Sequence, residues 1–215
     1  GQSDAPNHGA TIELHAGAIR QAMEALGLQR VWLLGHHTGA SVAVELAAAL
    51  GDQVAKLVLS GPCGMLDQTT CETLENAVRI FEVAEQPRQD GNHLEDLWRR
   101  LRGKDPRRSL DFTQSEVVRT LIAGADGYQA YRAVCAHAPR FRRLLPDLCC
   151  PVLFMSGSED PFALACLQPA FELARQGRAR KVERYVIDSG TSYINESDAG
   201  PIARQIEGFL FDEDC

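Results

Sequence analysis

The chain lacks several features, and each absence excludes a class of function. No run approaches the ~18 apolar residues that span a bilayer, so no membrane role is expected. The first residues, Gly1-Gln2-Ser3-Asp4, show no basic stretch followed by an apolar one, which is the pattern of a secretory leader. Neither GxGxxG nor GxxxxGKS/T occurs, so no glycine-rich phosphate cradle is expected. HExxH and paired CxxC are also missing, and Cys149-Cys150 are adjacent rather than spaced for zinc, so neither a metal nor a cofactor is expected. Positive charge is in deficit: Lys+Arg number 22 against Asp+Glu 29, a formal net charge of −7, which argues against nucleic acid as a partner. Cysteine is not scarce, at seven (63, 71, 135, 149, 150, 166, 215). The odd count without repeated spacing reads as a reduced, cytoplasmic chain rather than a disulfide framework.

What is present is ordinary for a folded domain: 45% apolar and 24% charged residues. A length of 215 residues suits one domain, or one domain with an insertion, and can bury a sizeable core. Residues 10–27 read as a helix on the spacing of Ile12, Ala16, Ile19, Met23 and Leu26, stopped by Gly27. Val31-Trp32-Leu33-Leu34 reads as a strand buried on both faces, followed by an Ala-rich helix over 38–50 and a second strand at Leu57-Val58-Leu59. This alternation is a βαβ unit and implies a parallel sheet. It returns as a strand at 152–155, a helix over 162–176 that Pro169 is expected to break or restart, a strand over 182–187, and a helix marked by Ile202, Ile206, Phe209 and Leu210. Between the halves, 63–149 carries helical stripes such as Leu94, Leu97, Trp98 and Leu101. Thr113 and Glu116 there have capping-box spacing, and the charged stretch 86–110 reads as loop and surface.

The most specific motif is Gly35-His36-His37-Thr38-Gly39, between an expected strand and an expected helix. Small residues flanking a tight strand-to-helix turn let the middle side chain project above the sheet, which is the geometry of the nucleophile elbow G-x-S-x-G. Position 37 is His, not Ser.

With this motif the chain resembles the α/β-hydrolase superfamily over nearly its whole length. Gly1 to Pro6 looks like the family's G-x-S-D-x-P loop, and Gly157-Ser158-Glu159-Asp160 is similar to its G-x-x-D, which puts Asp160 at the triad acid. The stretch Ser189 to Glu196 looks like the loop that carries the family's late histidine, and Ser192 stands where that histidine would be; no histidine occurs after His137. The resemblance implies an α/β core over 1–62 and 150–215, a mostly parallel sheet flanked by helices, with a helical cap over 63–149. It also implies four earlier strands and a second oxyanion donor that these 215 residues do not contain; without those strands the run at 31–34 would be a long exposed apolar edge, so the chain is expected to be part of a longer one. The oxyanion donor it retains would be the Thr38 N–H.

A serine mechanism needs a hydroxyl, an imidazole and a carboxylate; only the carboxylate is in its family position. Three readings of His37 stay open: a residue that merely tolerates positive φ, a base or nucleophile oriented by Asp160, or a ligand-binding group. Asp160 before Pro161 also suits a helix N-cap. His36 reads as packing beside the sheet or bonding a loop carbonyl. A swapped arrangement would use the Ser192 hydroxyl with His37 as its base. The function expected is hydrolysis of a small ester-like or apolar substrate, with His37 central, Asp160 orienting it and Thr38 polarising a carbonyl. The alternative is a catalytically inactive small-molecule-binding protein on the same scaffold. The cysteines read as small core hydrophobes or surface thiols, and since none lies at the elbow a cysteine hydrolase is not expected; nothing fixes an oligomeric state.

Overall fold

The computed structural model describes residues 9–212, so the Gly1 to Pro6 motif lies outside the described residues. In chain order the elements begin with α1 (Ile12–Ala25), β1 (Val31–His36), α2 (Thr38–Leu50) and β2 (Val54–Ser60). Four helices come next: α3 (Gln68–Ala84), α4 (Asn92–Lys104), α5 (Leu110–Ala123) and α6 (Gln129–Leu144). The chain then returns through β3 (Val152–Gly157), α7 (Pro161–Arg175), β4 (Val182–Ile187), α8 (Ile194–Ser197) and α9 (Ala199–Leu210).

The strands pair in parallel in the order β1-β2-β3-β4. Gly35 lies opposite Leu59, and Gly157 opposite Ile187. Parallel pairing puts every carboxyl end at one edge, so the loops after the four strands gather there, where open α/β sheets place their ligands. Strand periodicity divides the core. Leu57, Leu59, Val152 and Phe154 pack against Ala43 and Ala47 of α2 and Leu167 and Ala170 of α7. Val58, Leu153 and Met155 face the other way, onto Ile202 and Phe209 of α9. Each fully buried side chain of this size contributes roughly 1.5–3 kcal/mol.

Several local expectations change. The run at 31–34 is not buried on both faces: Trp32 is 49% and Leu34 53% exposed. Among the described residues β1 is an edge strand, as expected for these 215 residues, and Trp32 makes an edge-on contact with Phe211, centroids 5.3 Å apart. The charged stretch 86–110 contains helix α4, because Leu97 and Leu101 bury one stripe while Glu95 and Arg99 pair at 2.6 Å on the exposed side. Helix α5 starts before Thr113. Ser109 is the cap, its Oγ accepting from the Phe112 N–H at 3.1 Å, and Thr113 instead donates to the Ser109 carbonyl. Pro169 does not break α7, which runs unbroken from Pro161 to Arg175. It lies on the exposed side of the helix, where water can take the carbonyl it leaves free, while Cys166, Leu167 and Ala170 anchor the buried side.

Asp105, just past α4, fastens this helical segment to the loop region after β4. Wholly buried, it accepts from Thr191 Oγ1 (2.9 Å), Ser197 Oγ (2.7 Å) and the Arg107 backbone N–H and guanidinium (2.9–3.1 Å). Arg107 continues to Asp198 at 3.2 Å. Burial alone would raise this carboxyl, but the donors outweigh it and hold it well below the usual carboxylate range. Asp105→Ala is expected to cost about 3 kcal/mol, as breaking a buried pair does. Urea unfolding of the two proteins at pH 7 measures this, and a loss below ~1 kcal/mol would show that the network is not formed in solution.

Candidate functional site

The elbow is built from a steric constraint. A Cβ on Gly35 would stand 2.2 Å from the Gly39 carbonyl oxygen and 2.8 Å from Ala40 Cα, so only glycine lets the strand end approach the helix start. Gly39 itself has open space where a Cβ would be; its part is to present the carbonyl that Gly35 abuts. Between them His37 takes φ 49° and ψ −114°, a strained conformation for a side-chain-bearing residue. Two backbone bonds hold it there: the His37 N–H donates to the Ser60 carbonyl at 2.9 Å, and the His37 carbonyl accepts from the Ala40 N–H at 2.9 Å.

The turn aims the His37 ring across the end of β2 toward the loop after β3. Its Nε2 lies 2.8 Å from Asp160 Oδ2, with the His37 side chain 30% exposed and that of Asp160 only 4%. The ring N–H does not point along that line, so this is a close contact rather than an aligned hydrogen bond. Asp160 also caps α7: its Oδ1 accepts from the Ala163 N–H at 3.1 Å, with Pro161 as the first helical residue. Burial would raise the Asp160 carboxyl, but the His37 contact and the Ala163 N–H prevail and keep it below its ordinary value. The other ring nitrogen, Nδ1, faces Cys63 Sγ at 3.9 Å. Thr38 opens α2, so its backbone N–H is among the donors that a helix leaves without an internal partner.

The His36 ring lies beside that of His37, with centroids 4.4 Å apart, and its nitrogens meet other partners. A carbonyl can only accept, so the 3.1 Å contact with the Ser192 carbonyl makes Nε2 the protonated nitrogen, and Nδ1 accepts from Ser60 Oγ at 3.0 Å. Burial, with the charge of neighbouring His37, lowers His36 to about 4. Ser192 is thus held beside the elbow by its carbonyl, and its hydroxyl has no hydrogen-bond partner among the described residues. Sequence reasoning missed Thr191 and Asp105. Their bond joins residues 86 positions apart, and no local spacing signals it. It also missed Gly61, at φ 62°, where a Cβ would stand 2.6 Å from His37 Cδ2 and 2.8 Å from Nε2.

One group of metal-ligating type exists among the described residues. Glu13, Glu45 and His137 bring one ligand atom each within 4.8 Å of one another. The Arg140 guanidinium already bonds both Glu45 oxygens, at 2.6 and 2.7 Å, so a cation of the chain meets that charge.

This geometry can be tested at two positions. Gly61→Ala is expected to expel the His37 ring and to cost ~1–3 kcal/mol, through the clash and the positive φ together; an unchanged melting temperature and unchanged His37 ring shifts in NMR would refute it. His36, lowered from 6.5 to about 4 on folding, stabilises the protein fully above pH 6.5, and that stability is lost as pH falls toward 4. The loss is on the order of 3 kcal/mol, and His36→Asn should flatten stability over that window in thermal melts.

Comparison with known proteins bears on the fold. Residues 1–172 match the family model described as alpha/beta hydrolase fold. Among solved structures, the chain is similar to a bromoperoxidase from Bacillus anthracis, with TM-score 0.74, 20% identity, and 99% of this chain and 78% of that chain covered. It is similar to a thermophilic esterase from Thermogutta terrifontis, with TM-score 0.74, 23% identity, and 98% and 75% covered. It is also similar to an enol-lactonase from Burkholderia xenovorans LB400, with TM-score 0.71, 18% identity, and 99% and 77% covered. At these identities the likeness is one of fold. No curated protein matches the chain.

Proposed function

The chain belongs to the α/β-hydrolase fold family, and from that premise we propose that it hydrolyses a small ester-like or apolar substrate through a His37–Asp160 dyad in place of a serine triad. The observation that carries this reading is the 2.8 Å separation of His37 Nε2 from Asp160 Oδ2 at the carboxyl edge of the sheet. With Nε2–H turned to the carboxylate, Nδ1 is left as the proton acceptor. As Nδ1 takes a proton from the attacking group, the ring becomes imidazolium, and the buried Asp160, itself remaining ionised, stabilises that charge. The Thr38 N–H, at the positive end of α2, favours negative charge developing on a carbonyl oxygen in this reading. Residues 63–149 act as the cap that shapes the substrate space, and the substrate is a small molecule.

A second reading, a small-molecule binder without turnover, is favoured by the substitutions at two of the three family triad positions, His37 and Ser192. The assay is hydrolysis of 4-nitrophenyl butyrate by the purified chain, against a background of free imidazole. His37→Gln and Asp160→Asn are expected to lower kcat/KM by ~10²–10⁴, the span of general acid–base catalysis. No wild-type turnover above background, together with a melting temperature raised by the non-hydrolysable 4-nitrophenyl butyl ether, would support the binder instead.

A further inference from the structure

We propose that the Cys63 thiol is the nucleophile that His37 activates, which makes Cys63, His37 and Asp160 a thiol–imidazole–carboxylate triad assembled from three different strand ends. The inference rests on the dyad reading above and specifies the group whose proton His37 removes. Each ring nitrogen of His37 faces one partner: Nε2 lies 2.8 Å from Asp160 Oδ2, and Nδ1 lies 3.9 Å from Cys63 Sγ, within the longer reach of a sulfur donor. The chain path explains the meeting. His37 comes directly after β1, Asp160 comes after β3, and Gly61-Pro62-Cys63 leaves the end of β2 between them. Gly61 has no Cβ, so the imidazole can lie across it and reach both sides.

The thiol has a local fix and an apolar setting. Sγ lies 3.4 Å from the Gly61 carbonyl, which can accept its hydrogen at rest. Cys63 shares its cluster with Leu66 and Cys166, and Leu74 and Cys135 of that cluster also line a groove of ≈ 160 Å³ between α3 and α6. Burial pushes the Cys63 thiol up, with Cys166 and Asp160 adding to the effect, so no thiolate stands preformed. Proton transfer must therefore accompany attack, as it does for a serine hydroxyl.

The chemistry balances without an external oxidant or reductant. Sulfur attacks the acyl carbon as its proton passes to Nδ1. The carbon–oxygen bond of the ester breaks, and the leaving alkoxide takes the proton from the imidazolium, giving an alcohol and a Cys63 thioester. Water then attacks the thioester, losing its proton to Nδ1, and the thiolate released regains that proton, giving the carboxylic acid and the starting thiol.

The experiment uses the wild-type chain with 4-nitrophenyl butyrate, quenched in acid and mapped by peptide mass. The butyryl group is expected on Cys63 as a hydroxylamine-labile thioester. Cys63→Ala should lose at least 100-fold in turnover, with Cys149→Ser at the wild-type rate. Iodoacetamide should alkylate Cys63 at least ten-fold faster in the wild type than in His37→Gln, a readout that needs no turnover. If His37→Gln abolishes hydrolysis but Cys63→Ala does not, and no Cys63 adduct forms, the thiol is not the nucleophile and the dyad reading stands. If the wild type shows no hydrolysis, the dyad reading fails. Equal alkylation rates at Cys63 in the wild type and His37→Gln overturn its activation by His37 whatever the turnover. Should Cys63→Ala fail to fold, the wild-type adduct map and alkylation rates decide.

Discussion

The contact between Gly35 and the Gly39 carbonyl governs the site. Where a Cβ would stand 2.2 Å from a carbonyl oxygen, no other residue fits without moving the helix from the strand. This closeness forces the chain to reverse within one residue and puts His37 at φ 49°. The cost, of order 1–3 kcal/mol, is borne by the packing of α2 on β2 and by the backbone bonds at Ser60 and Ala40. Nothing about the turn requires a serine. It presents whatever side chain stands there to the loops beyond the sheet, and an imidazole reaches farther than a hydroxymethyl group. A second close approach mirrors the first: a Cβ on Gly157 would stand 2.1 Å from the Gly190 oxygen. That pinch draws the loops after β3 and β4 together, so Asp160 and Ser192 are delivered to the same edge from two sides.

Much of this fold is legible in the sequence, because strand and helix periods and glycine stops are local. The strands at 31–36, 54–60 and 152–157 each contain an apolar run that the sequence displays, while that at 182–187 carries Glu183 and Arg184 within it. What local pattern misses is context. Trp32 and Leu34 read from the run alone as core residues; only the family comparison, which implies strands not among these residues, marks that run as an exposed edge. Pro169 reads as a break, since propensity does not know that its side of the helix meets water. Thr113 reads as a cap although Ser109 caps one turn earlier.

The site divides in the same way. The Gly35 to Gly39 motif and the Gly157 to Asp160 motif are visible because each lies within a few residues. The meeting of His37 with Asp160 spans 123 positions and depends on β1, β2 and β3 lying side by side. Cys63 is less legible still. It stands in a Gly-Pro-Cys-Gly turn with no catalytic spacing, and its nearness to His37 comes from the pinch at Gly35 together with the missing side chain at Gly61. Asp160 shows why a single role is the wrong expectation for a buried carboxylate: one oxygen caps α7 while the other meets His37, so the bond that fixes the helix start also fixes the carboxylate's direction.

Placing the imidazole on the elbow frees the loop after β4 for a different task. In the pattern this family implies, that loop would deliver the base to a serine. Here its Ser192 carbonyl accepts from His36, and its Thr191 hydroxyl donates to Asp105 beside α4. The loop therefore joins the sheet edge to the helical segment instead of carrying a titrating group. His36, neutral down to about pH 4, makes one end of that joint insensitive to protonation over the range in which an ordinary histidine would charge. The two neighbouring histidines thus divide the work. His36 holds the loop as a neutral hydrogen-bonding group, and His37 lies between a carboxylate and a thiol.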